Sequence, residues 1–169
     1  MLLWPSLCSP PFAALLLLPC ASSHDGPFSL SFRPSSARPV TPSFLLDTNL
    51  LVYGFDTRTP KKQERALELL DRVGRRPSAA LPAQVLAEFA NVMLYKMEPR
   101  LSPSDVYEQL RLYKQIFPIY PLTSPVSLEA VRGVKEHSFR YFDAQIWACA
   151  KLNQVPVVLS EDFPVGATV

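Results

Sequence analysis

Four short apolar runs, each separated from the next by two helix-like segments, limit this chain to a narrow set of folds. The runs are Ser43-Phe-Leu-Leu-Asp47, Ser78-Ala-Ala-Leu81, Ile119-Tyr-Pro-Leu122 and Val155-Pro-Val-Val-Leu159. Runs of this length with no polar alternation suit strands buried on both faces, the habit of parallel sheets. The intervening segments carry helix punctuation. Pro60 opens a stretch to Val73 in which Ala66, Leu67, Leu70 and Val73 make one stripe, with Gly74 as its stop. Pro82 fits a first helical position ahead of Gln84 to Met97. Ser102-Pro103 precedes Val106, Leu110, Tyr113 and Phe117, and Ser124-Pro125 precedes Leu128, Val131 and Val134. Both pairs are cap-then-proline starts. Asn49 to Phe55 begins a further helical turn, and Asp143 opens a helix carrying Ile146, Trp147 and Ala150 inward. The order β-α-α-β-α-α-β-α-α-β predicts an α/β fold, a parallel sheet flanked by helices on both faces.

That pattern starts near residue 43. Residues 1–42 form a Pro/Ser-rich leader of low order; to Ser43 the chain holds 8 of its 18 prolines. The stretch Ala13 to Leu18 followed by Pro19-Cys-Ala-Ser-Ser23 imitates a secretory signal, but there is no basic start and Pro5, Pro10 and Pro11 interrupt it. The favoured reading is a low-order or misassigned extension, with export as the alternative and a membrane anchor third, the apolar run being too short to span a bilayer. Residues 43–169 are then one domain, large enough for a real core. Without Arg33, Arg38 and Asp25 of the leader it holds 15 basic and 14 acidic residues, a balance that excludes bulk nucleic-acid binding by charge alone. Basic contacts would have to come from clusters such as Lys61-Lys62, Arg72 to Arg76 or Arg132 to Arg140. Cys149 stands alone on a helix and reads as a small buried apolar residue, while two histidines supply no zinc set. A reducing, cytoplasmic setting follows.

Acidic residues fall where these elements begin or end. Asp47 closes the first apolar run, Glu88 lies in the first two turns after the second, Asp143 opens the last helix and Asp162 follows the fourth run. In a parallel sheet the ends of strands one and four meet at the carboxyl edge. Four carboxylates gathered there would bind a hard cation, Mg²⁺ or Mn²⁺, because such ions take oxygen ligands and keep several waters. The chemistry that suits this set is phosphodiester hydrolysis by a metal-activated water. Thr48, Asn49 and Ser160 are expected around the carboxylates as outer hydroxyl and amide groups, with turn formation as their plainer role. The apolar neighbours Tyr141, Phe142 and Ala144 suggest that Asp143 is buried among them. Crowded carboxylates without metal should repel and destabilise the domain.

The stretches Leu46-Asp-Thr-Asn-Leu-Leu-Val-Tyr53, Pro82-Ala-Gln-Val-Leu-Ala-Glu-Phe89, Phe142-Asp-Ala-Gln-Ile146 and Leu159-Ser-Glu-Asp-Phe163 together resemble the PIN-domain ribonucleases, within them the VapC-like toxins of type II toxin–antitoxin systems. The resemblance spans about residues 44 to 163. It implies a metal-dependent endoribonuclease with Asp47, Glu88, Asp143 and Asp162 as the acidic quartet. It also implies RNA as substrate and a cognate antitoxin that covers the active site. A homodimer is an open alternative for its assembly, and no stable membrane association is expected. Such domains usually continue into a further edge strand, whereas this chain stops seven residues after Asp162, so truncation at that edge is expected. The alternative function is a PIN-like module that has lost catalysis and binds an antitoxin-like partner or RNA without cleaving. A phosphoryl-transfer enzyme with Asp47 as nucleophile is disfavoured: Asn49 stands where a second Asp belongs, and none of the five glycines forms a phosphate loop.

Overall fold

A computed structural model describes residues 42–75 and 78–162. Residues 1–41, Arg76, Pro77 and the last seven residues, and with them the expected truncation, lie outside the described residues. The elements run β1 (Phe44–Leu46), α1 (Thr48–Tyr53), α2 (Pro60–Gly74), β2 (Ala79–Pro82), α3 (Ala83–Tyr95), α4 (Pro103–Ile116), β3 (Ile119–Tyr120), α5 (Ser124–His137), α6 (Tyr141–Leu152) and β4 (Val157–Leu159). This is the order the apolar runs predict. The four strands form one parallel sheet in the order β3-β2-β1-β4, with Leu45 opposite both Ala80 and Val158. Strand β1 is therefore central, and its carboxyl end lies beside that of β4.

Buried residues explain why these segments pack as they do. Leu45, Leu46, Ala80 and Leu81 are fully enclosed, as a doubly covered parallel sheet requires. Ala66, Leu70 and Val73 bury the inner stripe of α2. An aromatic line crosses the helices: Phe55 to Phe89 at 5.6 Å, Phe89 to Tyr113 at 5.4 Å and Tyr113 to Phe117 at 6.5 Å between ring centroids. Tyr113 and Phe117 thus serve the core, and Cys149 is a buried free thiol whose pKa burial pushes up to about 11.

Three local expectations need correction. Pro82 ends β2 and stands as the N-cap of α3 rather than at its first helical position, because its extended backbone continues the strand. Thr123, not Ser124, flanks the start of α5, and no side chain caps it. On α5 the apolar stripe faces outward: Leu128 and Val131 are 74% and 57% exposed, while Val126, Ala130 and Gly133 are buried. The reason is the closeness of α6. A Cβ built on Gly133 would lie 2.9 Å from Trp147 Cε3 and 3.0 Å from its Cζ3. Only small residues let the two helices approach this far, so α5 turns its small face inward and leaves the larger side chains outside.

Candidate active site

Asp47 is 4% exposed and is the N-cap of α1, just past the end of β1. Its Oδ1 accepts from the Thr48 backbone N–H at 2.5 Å, and its Oδ2 accepts from Ser160 Oγ, also at 2.5 Å. The second bond ties the carboxyl end of β1 to that of β4. Thr48, itself buried, donates from Oγ1 to Glu88 Oε2 at 2.7 Å, joining the start of α1 to the second turn of α3. Asn49 Nδ2 donates to Asp162 Oδ2 at 2.6 Å, and the Asp162 backbone N–H donates to Ser160 Oγ at 3.1 Å. The three residues expected around the carboxylates, Thr48, Asn49 and Ser160, each hold one of them.

Asp143 sits in the first turn of α6 and is half-buried. Its neighbours differ from expectation: Tyr141 and Phe142 are 41% and 60% exposed, because the burial of α6 begins only at Ala144. Sequence reasoning also missed Gln84. This buried amide donates to Glu88 Oε1 at 2.8 Å and to the Phe142 carbonyl at 3.1 Å, linking α3 to α6 behind the two acids. Its signal was available, since Gln84 stands four residues before Glu88, on the same helical face.

Electrostatics bring all four carboxylates into one centre. Burial holds the Asp47 carboxyl above its ordinary value, opposed by its hydrogen bonds to Ser160 and Thr48, with the charges of Asp143 and Asp162 adding to the rise. Asp143 is raised too, first by burial and then by Asp162; Arg140 opposes this and Glu88 adds to it. Among the described residues, no lysine or arginine forms an ion pair with any of the four. Their partners are neutral donors: Thr48, Asn49, Gln84 and Ser160. Neutral donors orient the oxygens without cancelling their charge.

An all-oxygen, mutually repelling donor set fits a hard divalent cation. Among the described residues, no three acidic, histidine or cysteine side chains stand in position to grip one ion together. Water would complete the shell of a bound Mg²⁺, which keeps several waters in any case.

A groove of about 440 Å³ adjoins the centre, sharing Asn49 and Ser160 with it. Leu50, Leu69 and Leu159 are among its apolar lining, and Lys61, Lys62 and Arg65 its cationic lining. Lys62 is committed: it pairs with Glu161 at 2.8 Å and lies 4.5 Å from the centre of the Tyr53 ring. The cluster Arg72 to Arg76 is in part a solvated face, as Arg72 and Arg75 pair with Glu68 and Asp71 on their own helix.

Sheet and centre together define a parallel α/β domain with an acidic site at its carboxyl edge. A PIN domain family model matches residues 44–163, and the chain belongs to that family. Two solved structures share the fold. VapC20 of Mycobacterium tuberculosis, described as a sarcin–ricin loop cleaving toxin, is 15% identical with a TM-score of 0.56, over 75% of this chain and 97% of that one. A toxin–antitoxin complex from Klebsiella pneumoniae is 21% identical with a TM-score of 0.51, over 73% and 92%. No curated protein sequence matches this chain significantly. Among the described residues, no helix is long and apolar enough to cross a membrane.

Proposed function

We propose that this chain is a metal-dependent endoribonuclease, the cytoplasmic toxin of a toxin–antitoxin pair. One observation carries the reading: carboxylates just past β1 and β4 and on α3 and α6 share a centre in which, among the described residues, no cation pairs with them. Membership of the PIN family and the fold shared with a toxin and with a chain of a toxin–antitoxin complex support it. Asp47, Glu88, Asp143 and Asp162 are the carboxylates that would face a Mg²⁺ or Mn²⁺ ion, directly or through the waters that complete its shell. When bound, such an ion neutralises charge on the phosphate and acidifies water.

The chain's own groups do the rest. Ser160 and the Thr48 N–H fix the buried Asp47, Thr48 and Gln84 fix Glu88 from both oxygens, and Asn49 fixes Asp162. Fixed oxygens cost no reorganisation as charge develops during reaction. One of the acids would take the proton of the attacking water, and the half-buried Asp143, held above its ordinary value first by burial, suits that role. RNA is the substrate, and a cognate antitoxin is the partner that would silence the centre.

The test is cleavage of a labelled RNA mixture by the full chain with Mg²⁺ or Mn²⁺, with chelator, and by Asp47→Asn. Metal-dependent cleavage lost in the variant is expected. A folded, metal-saturated protein that leaves RNA intact would instead mark a module that binds without cutting.

A further inference from the structure

Beside the acidic centre stands a feature that the chemistry above does not use. Arg140, Tyr141 and Phe142 precede Asp143 directly, with Arg140 as the N-cap of α6. The two rings lie 5.7 Å apart between centroids with planes 59° apart, and both are open to solvent. Neither packs in the core, although large aromatics are usually kept for it. Tyr141 is braced from below, its hydroxyl accepting from Gln145 Nε2 at 3.2 Å. The Phe142 backbone is braced as well, since its carbonyl accepts from Gln84, which also holds Glu88. Phe142 therefore rides on the same amide that holds Glu88. Arg140 lies close enough to oppose the rise of the Asp143 carboxyl, yet no acidic side chain within 4 Å pairs with it among the described residues.

We infer that Phe142, with Tyr141 beside it, is a stacking platform for an unpaired RNA base next to the scissile phosphate, with Arg140 facing the neighbouring phosphate. The inference rests on the ribonuclease reading and sharpens it: the substrate at this position is single-stranded or looped, because a base inside a helix has no free face to offer. Exposed π-faces stack on any base, while a free arginine answers the backbone charge. The combination suits a nucleic acid, since an apolar peptide would gain nothing from the unpaired guanidinium.

Binding is read by fluorescence anisotropy on the full chain in an Asp47→Asn background, so that cleavage does not intervene. The probes are a 12-nucleotide oligoadenylate and an RNA duplex of equal length. Phe142→Ala should weaken single-strand binding about tenfold, as expected for one lost stack, and leave duplex binding within about twofold. Phe142→Trp should restore it and Phe142→Leu should not. Each variant should melt with the parent, because the ring is exposed.

Unchanged single-strand affinity in Phe142→Ala, restoration by leucine equal to that by tryptophan, or no single-strand binding at all would overturn the platform. Cleavage assays on the same substitutions keep the two readings apart. Equal KM for wild type and Phe142→Ala would overturn the platform and leave the nuclease. Phe142-dependent binding by a chain that never cleaves would uphold the platform and sink the nuclease.

Discussion

Thr48→Val isolates one of the two bonds that hold Glu88. Thr48 is 6% exposed, and its hydroxyl donates to Glu88 Oε2 at 2.7 Å, from the start of α1 to α3. Valine keeps the shape and the β-branching, so backbone preference changes little. What is lost is a hydrogen bond to a charged acceptor, worth about 1.5–3 kcal/mol. Glu88 is only half-buried, and water can take over part of that role. The added methyl also gains up to about 0.8 kcal/mol of burial. A net loss of about 1 kcal/mol is expected, or about 3–5 °C in Tm for a domain of this size. Urea denaturation in chelator measures it, with Thr48→Ser as the control that keeps the donor and stays close to wild type. In a Glu88→Ala background the same substitution should cost almost nothing, since the acceptor has gone. If Thr48→Val costs the same with and without Glu88, the hydroxyl does not hold that carboxylate and the reasoning fails.

Charge and packing supply two more tests. Asp143→Asn should abolish cleavage and raise the Tm of the metal-free protein, because it removes a charge opposed first by burial and then by Asp162 and Glu88. The sign fixes the pH dependence: the folded state holds protons on Asp47 and Asp143 more tightly than the unfolded chain, so their contribution to stability falls as pH rises above their ordinary value of 3.8. The variant should therefore gain most at neutral pH and least in acid, and a gain that does not grow with pH would refute the raised Asp143 carboxyl. Gly133→Ala gains about 1 kcal/mol of helix propensity but drives a methyl into the Trp147 ring, an overpacking cost of about 1–3 kcal/mol. Net destabilisation is expected in denaturant melts, turning to a net gain in a Trp147→Leu background; a gain in both would deny the close approach of α5 to α6.

Element order was readable because each strand is a short apolar run and most helices announce themselves with proline near the first turn. Asp47 was readable for a related reason, since an acid closing a buried strand has few structural uses. The facing of α5 was not. Periodicity marks Leu128 and Val131 as a stripe, but the stripe that packs is the one with glycine and alanine, chosen by the bulk of Trp147 on another helix. Gln84 escaped notice because an amide on a helix usually faces solvent. Its role depends on the Phe142 carbonyl, 58 positions away. Tyr141 and Phe142 misled in the opposite direction: apolar neighbours suggested a buried Asp143, whereas the burial of α6 begins only at Ala144. In each case the sequence carries the residue and the tertiary partner decides its use.

How the carboxylates are held sets this centre apart from the other acids of the domain. Elsewhere in this domain acids that lose solvent take a cation: Arg58 pairs with the buried Asp56 at 2.8 Å, and Lys151 with Glu129 at 2.9 Å. Those pairings hold Asp56 and Glu129 below their ordinary values. Asp47 and Asp143 move the other way, although Asp47 accepts two hydrogen bonds at 2.5 Å. Fold stability alone would favour an internal cation here, as at Asp56 and Glu129. Serine, threonine, asparagine and glutamine instead fix the oxygens and leave their charge for something from outside the chain. A proton and a divalent cation are the two candidates, and they compete for the same oxygens. Metal affinity should therefore weaken as the pH falls through the raised values of Asp47 and Asp143, and the metal-free domain should regain from protons the stability it loses with the ion.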